Sequence, residues 1–148
     1  AENLRDPALL EKVRSALAAR GELSHPDYAN SIGYVSAELN VNLEEAEKLI
    51  RQALSVDANN PAYLDSLAWV LFRRGNFEEA EAEIRRAIRF ARPGQEMGVI
   101  YWHAGEIATA RGKRDEAHRF YLMALAERDR ELDRAAVEKR LKELESEQ

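Results

Sequence analysis

The sequence contains no cysteine. Disulfides, thiol catalysis and thiolate metal sites are excluded, while reducing and oxidising compartments both stay open. It also lacks an apolar run approaching the roughly 20 residues that a membrane-spanning helix needs. No signal peptide is visible, but the chain opens directly on a helix-like segment, as a piece of a longer protein would, so this absence carries little weight. Excess positive charge is missing too. The balance of 22 Lys and Arg against 27 Asp and Glu gives a formal net charge of -5. A nucleic-acid partner calls for the opposite sign. β-branched residues are few, and the four prolines, Pro7, Pro26, Pro61 and Pro93, are spaced like punctuation between helices.

What remains is rich in Ala, Leu, Glu and Arg, which are good helix formers. At 148 residues and 45% hydrophobic content the chain is read as one domain with a core and a well-solvated surface.

Small residues recur at a fixed interval. Ala46, Ile50 and Ala53 return 34 residues later as Ala80, Ile84 and Ala87. Ala80 returns 37 residues later as Ala117, and Gly75 as Gly112, with Tyr121 and Ala124 completing the third set. The three extra residues fit the connection Arg92-Pro93-Gly94-Gln95-Glu96. Upstream in each unit, Gly33, Ala68 and Gly105 occupy a common small-residue slot. Such periods mean stacked supersecondary units.

Local signals agree with helix hairpins. Apolar residues recur three and four apart. Asn60-Pro61 reads as an N-cap followed by proline at the first helical position. Gly75 reads as a left-handed terminator, and Asn76 with Glu79, like Asn42 with Glu45, as capping pairs. Short turns make the paired helices antiparallel. The expected architecture is all-α, an α-solenoid of about three helix hairpins in residues 26–60, 61–96 and 97–130. Residues 1–25 hold an N-terminal helix, read as the second helix of a truncated unit. Residues 131–148 hold a charged closing helix with Leu132, Ala136, Leu141 and Leu144 as its stripe. Gly33, Ala46, Ala53, Ala68, Ala80, Ala87, Gly105, Ala117 and Ala124 are small because helix axes approach closely there.

Little in the chain resembles catalytic or cofactor machinery, and neither a cofactor nor a metal is expected. The three histidines, His25, His103 and His118, form no His-Glu-x-x-His arrangement. Asp115 and His118, three apart, read as a solvated helix face in the absence of a second such pair. Gly112-Lys113-Arg114 lacks the spacing of a phosphate loop. Pairs such as Glu81 with Arg85, or Asp133 with Arg140, read as helix solvation.

The 34-residue period with three small positions per unit resembles the tetratricopeptide repeat family, over roughly residues 26–128. The wording Asn30-Ser31-Ile32-Gly33-Tyr34 and Leu64-Asp65-Ser66-Leu67-Ala68-Trp69-Val70 is also similar to repeat proteins of the bacterial cell envelope. Some of those are lipoproteins that recruit enzymes or assembly factors. That likeness implies an envelope or periplasmic setting if the chain belongs to a larger lipoprotein, and a cytoplasmic one otherwise.

The family resemblance implies a non-catalytic scaffold or adaptor that binds a protein or peptide segment on its concave face. That face is lined by the first helix of each unit. Carried over position by position, the candidate binding residues are Asn30, Tyr34, Asp65, Trp69, Phe72, Arg73, Trp102 and Glu106. Tyr34, Trp69 and Trp102 form an aromatic track there. Family members that clamp a C-terminal carboxylate use Lys, Arg and Asn on this face. Here Arg73 is the only clear cation, so an apolar or mildly basic segment is expected instead. Self-association into a homo-oligomer, or docking within a larger enzyme, are the alternative readings.

Overall fold

The computed structural model describes residues 5–147, and among these residues every regular element is an α-helix. In chain order they are α1 (Pro7–Ala19), α2 (Pro26–Leu39), α3 (Leu43–Val56), α4 (Pro61–Arg73), α5 (Phe77–Phe90), α6 (Met97–Ala110), α7 (Arg114–Ala126) and α8 (Arg134–Ser146).

Proline opens α1, α2 and α4, where its missing N–H costs nothing. Side chains before it satisfy the free amides. Asp6 accepts from the Ala8 amide at 3.0 Å, His25 Nδ1 from Asp27 at 3.3 Å, and Asn60 from Ala62 and Tyr63 at 3.0 and 3.2 Å. The expected caps at Asn42 and Asn76 do not form. Both occupy the N-cap position, yet neither side chain bonds a helix amide. A capping side chain needs extended backbone beneath it. Asn42 instead has φ 49°, ψ 43°, and Asn76 has φ -88°, ψ 69°. Glycine supplies the positive φ in the second and third hairpin turns (Gly75 at 85°, Gly112 at 76°), and Asn40 and Asn42 supply it in the first.

Helices pair as α2–α3, α4–α5 and α6–α7, and each second helix packs on the next first helix. The first helices α2, α4 and α6 also touch one another in succession. Among the described residues no comparable contact joins α3 to α5 or α5 to α7. A stack whose first helices lie closer together bends toward them, so α2, α4 and α6 line the inner face and α3, α5 and α7 the outer. α1 packs on α2 where a preceding second helix would lie, and α8 closes the far end against α7.

The small residues sit in the seams. Ala53, Ala68, Ala80, Ala87, Ala117 and Ala124 are fully buried, and Ala46 nearly so. A Cβ on Gly33 would stand 2.6 Å from Ile50 Cγ1, and one on Gly105 would strike the Tyr121 ring. Only glycine permits these approaches. Leu64, Leu67, Leu71, Ile84, Ile100 and Ile107 fill the centre. In the closing helix the buried stripe is Val137, Leu141 and Leu144, with Leu132 just ahead of it. Ala136, expected in that stripe, is half-buried. The spacing of four and three from Val137 puts the valine, not the alanine, on the inward face.

Candidate partner-binding face

At the centre of the inner face, α4 and α6 build an aromatic stack. Trp69 lies between Phe72 at 4.8 Å and the His103 ring at 4.1 Å, both nearly parallel to it. Its surface is only 6% exposed. His103 is buried, and its Nδ1 lies 2.7 Å from Asp65 Oδ1. Tyr34 reaches across from α2 to within 6.0 Å of the His103 ring. Burial pushes the Tyr34 phenol above its ordinary value, helped by the charges of Glu38, Asp65 and Glu96. Arg73 sits 6.0 Å from the Trp69 ring and donates to the Ala37 and Glu38 carbonyls at 3.0 and 3.4 Å, closing the C-terminal ends of α2 and α4.

Trp102 belongs to a different group. Its ring faces Tyr121 at 5.7 Å and packs in the cluster formed by α7 and α8. The aromatic residues that the sequence strings into one track are divided by the structure into a central stack and a C-terminal group. Glu106 lies in the second group. Arg140 of α8 donates to both its carboxylate oxygens at 3.1 Å, and the Tyr121 hydroxyl donates to it at 2.5 Å. Burial and this bond raise the Tyr121 phenol. Arg140 therefore serves a buried carboxylate and does not pair with Asp133, whose side chain caps α8 through the Ala136 amide at 3.1 Å. Nothing in the spacing of the sequence marks Arg140, because its partner is 34 residues away on a helix with no shared pattern. His103 carried a faint signal, since it follows Trp102 and aligns with Ser31 and Ser66.

Two polar atoms on the inner helices have no hydrogen-bond partner among the described residues: Trp69 Nε1 and Asn30 Oδ1, both buried. Near Asn30, Asp27 accepts from the Tyr63 hydroxyl at 2.5 Å. Burial, then this bond, pushes that phenol up to about 12. Carboxylates gather where the N-terminal ends of α4 and α6 meet the α7–α8 connection. Burial raises Glu96 above its ordinary value, and the neighbouring charges of Glu131, Asp129 and Asp65 raise it further. Asp129 also accepts from the Val99 amide at 2.9 Å.

The outer face is organised differently. Arg14 on α1 reaches Glu45 on α3 at 3.5 Å, Arg51 on α3 reaches Glu79 on α5 at 2.9 Å, and Arg85 on α5 reaches Glu116 on α7 at 2.5 Å. One rung thus recurs between each successive pair of outer helices. Glu81 adds contacts with Lys113 and Arg111 at 2.6 and 2.9 Å. Among the described residues no group of three or more His, Asp or Glu is arranged to hold a metal ion, and no helix is long and apolar enough to cross a membrane. His118 faces Glu145 at 3.8 Å on a partly exposed surface of α7.

Comparison with known proteins places these features. Residues 62–92 match the family model described as tetratricopeptide repeat. The chain is 34% identical over 109 residues to the TPR repeat-containing protein PA4667 of Pseudomonas aeruginosa, covering 72% of this chain and 17% of that protein. It is also 34% identical over 104 residues to the TPR repeat-containing thioredoxin TTL4 of Arabidopsis thaliana, covering 68% of this chain and 15% of that protein. The chain thus spans less than a fifth of the length of these relatives. Among solved structures, a TPR protein of Thermus thermophilus, TTC0263, superposes with a TM-score of 0.69 at 20% identity, covering 95% of this chain and 73% of that one. The Arabidopsis OM64 TPR domain does so with a TM-score of 0.65 at 16% identity, covering 82% and 97%. With the eight helices of its described residues, its seams of small residues and these relatives, the chain belongs to the tetratricopeptide repeat family.

Proposed function

We propose that this chain is a non-catalytic interaction module whose inner face, built by α2, α4 and α6, binds an extended segment of a partner protein. The observation that carries the reading is the pair of buried, unpartnered polar atoms on that face, Trp69 Nε1 and Asn30 Oδ1. A buried polar group without a partner costs about 1–3 kcal/mol, and folds keep such groups where something else satisfies them. Once binding shifts the side chains that cover them, a peptide backbone offers both a carbonyl for the indole N–H and an amide for the asparagine oxygen. Membership of a family that generally mediates protein–protein contacts agrees with this reading.

The contact is made by the accessible members of the set. Phe72 is half-buried and Arg73 exposed, while Trp69 acts mainly as the floor that holds them. Selection of displayed peptides against the chain tests the idea. Asn30→Ala with Arg73→Ala is expected to weaken the selected peptides by about tenfold, the equivalent of about 1.4 kcal/mol. Leu122→Ala with Met123→Ala, exposed on α7, leaves them unchanged. Peptides lost only through the α7 pair would move the site to the outer face and overturn the proposal.

A further inference from the structure

The two faces treat their carboxylates in opposite ways. On the outside, Glu45, Glu79 and Glu116 each hold an arginine from the preceding outer helix. On the inside and along its rim, no Lys or Arg side chain among the described residues lies within ion-pair distance of Glu38, Asp65, Glu96, Asp129 or Glu131. Glu106 is the exception. Arg140, arriving on α8, lays its guanidinium across both oxygens at 3.1 Å. The chain therefore carries one example of a cation seated on an inner-face carboxylate, delivered by a helix that packs on α7 from outside the repeats.

The remaining acids meet where Asp129 ties the α7–α8 connection to the first turn of α6 through the Val99 amide at 2.9 Å, between Glu96 and Glu131, and Asp65 adds to the charge that opposes ionisation of Glu96. Part of this set has work of its own, since Asp129 bonds the Val99 amide and Asp65 the His103 ring. Glu96 and Glu131 keep much of their surface exposed, and Glu96, though partly desolvated, makes no capping bond to α6. The independent pointer to a ligand is Trp69. It is 94% buried by the 6% it exposes, stacked on the histidine that Asp65 holds, and its N–H is unpartnered. A metal or a free amine could answer the acids but not that donor, which needs an acceptor. A peptide strand supplies both.

We infer that the inner face takes an extended protein segment bearing Lys or Arg, its cations seated at Glu96 and Glu131 and its backbone meeting Trp69 and Asn30. This deepens the function proposed above and rests on it. Arg73, anchored to the Ala37 and Glu38 carbonyls at the other ends of the helices, repels a second basic side chain there and so favours cations at the N-terminal rim. An acidic tail is refused by the carboxylates of that rim, and a nucleic acid meets like charge there.

The test uses three short peptides of one sequence with arginine, citrulline or glutamate at alternate positions, titrated into the full chain and followed by fluorescence anisotropy. Citrulline keeps the shape of arginine without its charge. The arginine peptide is expected to bind at least about tenfold more tightly than the citrulline one, and added salt is expected to narrow that gap. Glu96→Gln with Glu131→Gln is expected to remove most of the difference, while Glu78→Gln with Glu138→Gln does not. Equal binding of the arginine and citrulline peptides, each still weakened by Asn30→Ala, overturns the basic-segment inference and leaves the inner-face function standing. Binding indifferent to Asn30, Arg73, Glu96 and Glu131 overturns both. Preference for the glutamate peptide, or spermine competing as well as the peptide, overturns the inference as well.

Discussion

The outer helices are stitched and the inner helices are stacked. Outside, a single ion pair is repeated from α1 to α3, α3 to α5 and α5 to α7, each rung on partly exposed side chains. Inside, no rung repeats: Tyr34, Trp69 and Glu106 hold one slot in successive units and do three different things. A ladder that recurs without change maintains an architecture. A slot that changes in every unit is free to be shaped by what it touches. That difference agrees with the proposal that the outside keeps the shape and the inside meets a partner.

The sharpest way to break the comparison is at the central stack. Trp69→Ala is expected to cost about 3–5 kcal/mol through the cavity left between Phe72 and His103, read by chemical denaturation. A loss below about 1 kcal/mol would mean that the stack is not part of the core. Next comes the seam. Ala80 is fully buried, so Ala80→Leu is expected to cost about 1–3 kcal/mol by overpacking, seen as a lower Tm with helical content kept. An unchanged Tm would count against close approach there.

Arg140→Ala leaves Glu106 with only the Tyr121 hydroxyl. The expected cost is about 1–3 kcal/mol, with amide exchange in α8 rising first. Exchange spread evenly over the chain would argue against a local role. A single outer rung is worth less. Arg85→Ala is expected to cost only about 0.2–1 kcal/mol, because the guanidinium itself is about half exposed, and salt should shrink that cost further. A larger loss would show that the rungs act cooperatively.

The smallest effects carry opposite signs on the two faces. Burial raises Glu81, but the hydrogen bonds of Lys113 and Arg85 outweigh it and leave the carboxyl below its ordinary 4.5. A depressed carboxylate contributes stability that is present above its ordinary pKa and lost as pH falls through the lowered one. Glu96, raised by burial and by its acidic neighbours, behaves in reverse. Its contribution is present in acid and lost as pH rises through the raised value. Glu81→Gln should therefore destabilise by roughly 0.5 kcal/mol near neutral pH, and Glu96→Gln stabilise by a similar amount. Both effects should fade in denaturation curves taken below pH 4.5. Effects of the same sign would erase the contrast.

The fold was legible because its cause is periodic. Ala46, Ala80 and Ala117 must be small wherever helices nest, so the period shows in one sequence. Prolines and a capping asparagine at Asn60 mark helix starts by chemistry local to a few residues. The misread caps at Asn42 and Asn76 depended on backbone angles set by the hairpin turn, which composition does not encode. The inner face was legible in membership and not in state. Which side chains lie on it follows from the register. That Trp69 is a floor, that Trp102 joins α8 and that Arg140 meets Glu106 are tertiary outcomes between helices with no common pattern.

The bidentate contact between Arg140 and Glu106 also bears on how an array of this kind could lengthen. The same slot is an aromatic in the two earlier units and a carboxylate in the last, so the chain distinguishes its final hairpin by one acid. Inserting a further hairpin ahead of α8 would strand that helix unless the newcomer also carried a carboxylate there. In effect that acid ties α8 to the hairpin that carries it, and hairpins added upstream would leave the contact untouched.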